Sequence, residues 1–229
     1  MNFLDLLFPK RCVGCGRIGH YICSSCRKLI IPVAINECIC PVCEKPAIAG
    51  FTHPRCRTRY TPDGLTSFFY YNTVVREVVK TIKYRFVRDV GSEIVGLIPI
   101  SAFEVGSLAG ASDIVLIPVP LHVSRLRHRG FNQAETLGYL VAKRLRIPMC
   151  ADVLVRITRT TPQVEKKDRK DRLENMKNVF SIASHNPMVP YKKVILFDDV
   201  FTTGATIRAA AGVLKRHGVQ FVWAVTMAR

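Results

Sequence analysis

The stretch Val194–Thr206, VILFDDVFTTGAT, decides how the chain is read. Four apolar residues run into two adjacent carboxylates, then two more apolar residues, then a Thr-Thr-Gly-Ala-Thr turn. The apolar run predicts a strand buried on both faces. A strand that ends in a small-residue turn and opens a helix offers backbone N–H groups and the positive helix end to an anion. Gly204 supplies conformational freedom, and Thr202, Thr203 and Thr206 add hydroxyl donors. No lysine follows the glycine, so this is not the GxxxxGK loop of nucleoside triphosphatases. The turn suits a terminal phosphomonoester. Asp198 and Asp199 would repel that phosphate, so they must face vicinal hydroxyls or a magnesium ion bridged to the ligand. Phosphate at one end and diol at the other describe a ribose 5-phosphate.

Outward from this stretch, strands and helices alternate. TSFFYY (Thr66–Tyr71), DIVLIPVP (Asp113–Pro120), KVILFDD and FVWAVTMA read as strands. Helices are predicted for VVREVVKTIKY, with Val74, Val75, Val78, Val79 and Ile82 on one face, and for NQAETLGYLVAKRL, with Leu137, Leu140, Val141 and Leu145. A third is ATIRAAAGVLKRHG, stopped by Gly218. The alternation predicts an α/β fold with a mostly parallel sheet covered by helices on both faces. Composition breaks near Pro62, which predicts a small domain over residues 1–62 and the α/β domain over residues 63–229.

Residues 1–62 are rich in Cys, Pro and Gly and too short to bury a core unaided. Eight of the nine cysteines of this 229-residue chain fall between Cys12 and Cys56. Cys12-x2-Cys15 and Cys23-x2-Cys26 form two knuckles, each able to place two thiolates on one side of a tight turn. Together they supply the four ligands of a structural zinc. Cys40-x2-Cys43 followed by His53-x2-Cys56 offers a second site of three thiolates and one imidazole, with Cys38 a rival to His53. All four positions of each site are filled by protein, which predicts zinc that stabilises rather than catalyses. Clustered CxxC pairs in a chain that begins without a basic leader argue for metal over disulfides and for a cytoplasmic home.

The formal charge is +17. That excess favours polyanionic partners: nucleic acid, a polyphosphate ligand, or an anionic membrane surface with the chain held peripherally. A generally basic protein would show the same charge, and charge alone does not separate these. No run of 18 apolar residues occurs, so no membrane span is predicted. RLRHRGFNQAE (Arg125–Glu135) places Arg125, Arg127 and Arg129 just ahead of a helix start. Asn132 and Gln133 there read equally as a helix cap and a surface amide or as site residues. Arg159–Asn178 is strongly charged and reads as a solvated loop and surface helix.

VILFDDVFTTGAT resembles the phosphoribosyl pyrophosphate (PRPP) binding motif of type I phosphoribosyltransferases over thirteen consecutive positions, Phe201 being bulkier than the usual aliphatic residue. The paired knuckles, IPVP, RHRGFNQAE and RTTPQ…RLENMKNVF together resemble the ComF family, from about Leu4 to the end of the sequence. His53, where the family more often has cysteine, and the extra Cys38 are departures. The resemblance implies a double zinc ribbon followed by a type I phosphoribosyltransferase-like domain. Thr202, Thr203, Gly204, Ala205 and Thr206 would hold the 5-phosphate, Asp198 and Asp199 the ribose hydroxyls, and Arg125, Arg127 and Arg129 the pyrophosphate. Arg159, Gln163, Arg172 and Asn175 would belong to a loop over the site. It further implies magnesium with PRPP, single-stranded DNA as a partner, and DNA-uptake or recombination proteins as companions in natural competence. The acceptor of any phosphoribosyl transfer is not specified by the residues. A nucleobase-salvage phosphoribosyltransferase is the alternative.

Overall fold

The computed structural model describes residues 9–85, 88–103, 114–158, 179–184 and 191–229. Its centre is a four-stranded sheet of β1 (Gly64–Phe69), β2 (Ile114–Pro118), β5 (Lys193–Val200) and β6 (Phe221–Ala228), in the order β1-β6-β5-β2. Every pairing within it is parallel. The period of two along β5 divides its side chains between two cores. Val194 and Leu196 pack with Ile207, Ala210 and Leu214, while Ile195 and Phe197 pack with Leu137, Val141 and Val75. Each such fully buried side chain contributes roughly 1.5–3 kcal/mol.

The helices follow from the same arithmetic. On α2 (Thr73–Arg85) Val74, Val75, Val78, Val79 and Ile82 are buried, and Asn72 Oδ1 accepts from the Val75 N–H at 3.0 Å. On α5 (Gln133–Leu145) Gly138 lies so near the sheet that a Cβ there would meet Leu116 at 3.1 Å and Phe197 at 3.3 Å. On α6 (Ala205–Arg216) the buried face is built largely of small residues, Ala210, Ala211 and Gly212, beside Ile207, Val213 and Leu214. Helix α3 (Arg88–Gly96) adds Val90, Ile94 and Val95 to the first core. An antiparallel pair, β3 (Leu154–Arg156) and β4 (Phe180–Ile182), packs against the second.

Ahead of the sheet lies the cysteine-rich segment, whose described residues include the short α-helix α1 (Ser24–Lys28) and three single 3-10 turns. Cys12, Cys15, Cys23 and Cys26 bring their sulfurs within 4.8 Å of one another, and so do Cys40, Cys43, His53 and Cys56 their ligand atoms. Tetrahedral zinc with Zn–S near 2.3 Å needs sulfurs roughly 3.8 Å apart, so both sets fit the ion. In the first, burial pushes the Cys12 thiol up, but N–H groups of Cys23, Cys15 and Gly14 outweigh it and bring its pKa down to about 6. In the second, His53 Nδ1 lies 3.3 Å from Cys43 Sγ, and Nε2–H donates to the Pro46 carbonyl at 3.0 Å. That outer bond fixes the tautomer that leaves Nδ1 free for a metal. Cys38, the sequence's rival to His53, is elsewhere: its buried thiol points to the Ala34 carbonyl at 3.8 Å.

The cysteine-rich segment shares its interior with the sheet. Cys12, Cys23 and Cys26 sit in the first core with Phe68 and Val74. The Phe51 ring meets Trp223 edge-on at 4.9 Å. Between them Asp63 is buried. Its N–H donates to the Val222 carbonyl, its Oδ2 accepts from the Val222 N–H, and Lys215 Nζ lies 2.7 Å from the same carboxylate. The Asp63 and Lys215 side chains are 3% and 8% exposed, whereas Arg57, also on Asp63, is 66% exposed and contributes little.

Two measurements check this account. Asp63→Ala strands a buried ammonium, so urea unfolding should show a loss of about 3–5 kcal/mol, and adding Lys215→Met should recover part of it. Metal analysis of the purified protein should give two zinc ions per chain, one in Cys43→Ser and still two in Cys38→Ser.

Candidate ligand-binding cleft

Strands β2 and β5 are neighbours and parallel, so their carboxyl ends open on the same side of the sheet, where ligands of open α/β folds bind. Two carboxylates appear there because β5 leaves the double cover of helices at that point: Val194–Phe197 are buried, Asp198–Val200 only partly. Asp198 Oδ1 accepts from the Asp199 N–H at 2.8 Å. Asp198, Asp199 and Thr206 form one wall of a cleft. Arg125, Arg129, Gln133 and Arg156 line it too, with Val119, Pro120 and Leu121 after β2.

Beside this cleft, Thr202, Gly204, Ala205 and Thr206 line a smaller hollow that also touches Asp198. Thr203 stands in the same turn. Gly204 has φ +66°, and a Cβ there would lie 2.7 Å from Arg208 Nη1 and 2.8 Å from the Phe201 ring. Glycine is thus required twice, by backbone sign and by crowding. Phe201, the bulkier residue of the motif, is buried beneath the turn and is one of the groups that crowd it. No side chain caps α6, so its first N–H groups are left to the turn's concave side. Arg208 continues past the turn, donating from Nη1 to the carbonyl of Pro41 at 2.9 Å. Pro41 lies within the Cys40-x2-Cys43 knuckle.

The arginine segment is itself a helix, α4 (Val123–Arg129), capped by His122, whose side chain accepts from the Ser124 N–H. Residues four apart share a helical face. Arg125 and Arg129 accordingly line the cleft together, while Arg127 is exposed and lies outside its wall. Asn132 caps α5: its Oδ1 accepts from the Ala134 N–H and its Nδ2 donates to the Val119 carbonyl. Gln133 is not a surface amide but 2% exposed. Arg159, Gln163, Arg172 and Asn175 lie outside the described residues.

Arg156 was missed by the sequence reading. It ends β3, and its guanidinium stands 5.4 Å over the Phe180 ring while lining the cleft. Burial lowers its pKa and the charge of Arg125 lowers it further, against the opposing pull of Asp198. Its placement depends on the β3–β4 pairing and a bridge to His122, neither of which leaves a periodic signal. The cleft thus gathers three guanidinium groups and two carboxylates, with the Gly204 turn beside it. Guanidinium forks match phosphate oxygens in pairs, and paired carboxylates match a diol or a hard cation.

Comparison with known proteins agrees with this geometry. Residues 3–57 match the double zinc ribbon domain and residues 132–229 the phosphoribosyl transferase domain. Competence protein F of Haemophilus influenzae is 38% identical over 114 residues, covering 50% of this chain and 49% of that protein. The match therefore spans about half the length of that relative. Competence protein ComFC of Bacillus subtilis is 28% identical over 210 residues, covering 86% of this chain and 79% of that protein. DNA utilization protein YhgH of Escherichia coli K12 is 26% identical over 213 residues, covering 90% and 89%. A double zinc ribbon ahead of a phosphoribosyl transferase domain, together with these relatives, supports a ComF-family assignment for the chain.

Proposed function

We propose that the chain is a ComF-like protein of natural competence that binds PRPP in the cleft and handles single-stranded DNA through its basic surface. The observation that carries the ligand is the convergence of Asp198, Asp199 and Thr206 with Arg125 and Arg129 in one cleft beside the Gly204 turn. In this reading residues 1–62 form the ribbon unit and residues 63–229 the PRPP-binding body. Thr202, Thr203, Gly204, Ala205 and Thr206 hold the 5-phosphate, Asp198 and Asp199 the ribose hydroxyls, and Arg125 and Arg129 the pyrophosphate. The Asp198 and Asp199 oxygens are the hard donors that magnesium takes, and the ion, when bound, neutralises charge on the pyrophosphate. The chain's own contribution is positioning and electrostatic: guanidinium groups offset the negative charge of the bound pyrophosphate group, and the carboxylates face the ribose.

The DNA partner rests on the +17 charge and on relatives named for competence and DNA utilization. The reading places the chain on the cytoplasmic side, where incoming single strands meet uptake and recombination proteins, and allows peripheral contact with the anionic membrane surface. Among the described residues no helix is long and apolar enough to cross a membrane.

Calorimetry with PRPP and magnesium tests the cleft. The double variant Asp199→Ala, Thr203→Val should abolish magnesium-dependent binding, and unchanged binding would remove the assignment. Pyrophosphate release with one nucleobase alone would instead favour salvage. For the DNA partner, affinity for an oligonucleotide should fall steeply as salt rises, since phosphate contacts release counterions. Salt-independent affinity would overturn the electrostatic interface.

A further inference from the structure

Helix α5 begins at the cleft with two consecutive carboxamides, and their surroundings differ sharply. Asn132 is used by the fold, its Nδ2 donating to Val119 at 3.1 Å and its Oδ1 accepting from Ala134 at 3.2 Å. Gln133 is 2% exposed and lines the cleft, yet its Nε2 is buried and has no hydrogen-bond partner among the described residues. A buried amide donor with no acceptor destabilises the ligand-free fold, because water was given up and nothing replaced it. Helix formation does not need this residue, since leucine or methionine serves equally well by propensity. Among the described residues nothing supplies the missing acceptor, and the open side of the residue is the cleft.

The neighbours on that side of the cleft say what kind of acceptor it is. Arg125 and Arg129 of α4 and Arg156 of β3 line the same cleft, and α5 is thirteen residues long with its first turn at the wall. Three guanidinium groups and a helix start favour an anion. Asp198 and Asp199 supply the opposing acidic wall, and the Gly204 turn is a separate hollow beside it. We propose that Gln133 is a ligand-contacting specificity residue. On binding, its carboxamide turns from its buried ligand-free position toward the cleft and donates an N–H to a phosphoryl oxygen of the pyrophosphate group, so that the cleft distinguishes PRPP from ribose 5-phosphate. The inference deepens the PRPP reading and rests on it.

Titration calorimetry of the full-length zinc-loaded protein with PRPP, inorganic pyrophosphate and ribose 5-phosphate, each with magnesium, tests it. Gln133→Met keeps the length of the side chain and removes the donor. PRPP and pyrophosphate should bind about tenfold more weakly or worse, as expected for a hydrogen bond to a charged acceptor, with ribose 5-phosphate unchanged. The ligand-free variant should melt at or above the wild-type temperature, because the unsatisfied group is gone. Gln133→Glu, which sets a carboxylate against the phosphoryl oxygens, should weaken the same two ligands further. Wild-type affinity for PRPP in Gln133→Met overturns the proposal. So does an equal loss for all three ligands accompanied by a lower melting temperature, which is the signature of a structural role. A wild-type protein that binds neither PRPP nor pyrophosphate overturns the PRPP reading itself, before any variant is compared.

Discussion

Strand β5 hydrogen-bonds to β2 on one side and β6 on the other, with a packed core against each of its faces. Such a strand has no exposed face on which to carry polar chemistry, and unpaired charge within it would be prohibitively costly. Its first affordable position is where the cover ends. That is where Asp198 and Asp199 stand, at the transition from buried to partly buried residues. The register with β2 then fixes what lies opposite. Phe197 pairs with Pro118, so the segment leaving β2 and the arginine helix after it must emerge beside the acid pair. The cleft follows from strand pairing before any ligand is considered.

Legibility in the sequence tracked how strongly each element obeys a single period. The four strands of the sheet and helices α2, α5 and α6 carry continuous apolar runs or a regular stripe, and each forms close to where the pattern places it. The turn after β5 was readable because its residue types are demanded by backbone geometry as well as by chemistry. Helix α4 was not read as a helix, its arginines being placed just ahead of a helix start, because none of its residues is buried and no apolar stripe marks it. That hidden helicity separates Arg127 from Arg125 and Arg129. Helix α3 was available in the spacing of Val90 and Ile94, with Val95 beside them, all buried, but went unread. Arg156 could not be found this way, since a three-residue strand has too little length to show a period.

The ambiguity at the second metal set has a simple physical resolution. Cys38 and His53 are both near the Cys40 knuckle in sequence, and spacing alone does not choose between them. The Cys38 thiol is buried and turned to the Ala34 carbonyl, and burial raises its pKa. His53 instead has its far nitrogen held by the Pro46 carbonyl, which orients the ring toward Cys43. Backbone acceptors, invisible in a one-dimensional pattern, decide the ligand set.

The reach of Arg208 from the first turn of α6 to the Pro41 carbonyl ties the Gly204 turn to the cysteine-rich segment by one hydrogen bond. One side chain crowds Gly204 in the turn after β5 and donates to a carbonyl between Cys40 and Cys43. Without the segment that carries Pro41, the guanidinium beside Gly204 would lose this acceptor, so the outer neighbour of the turn is positioned by a residue far from it along the chain.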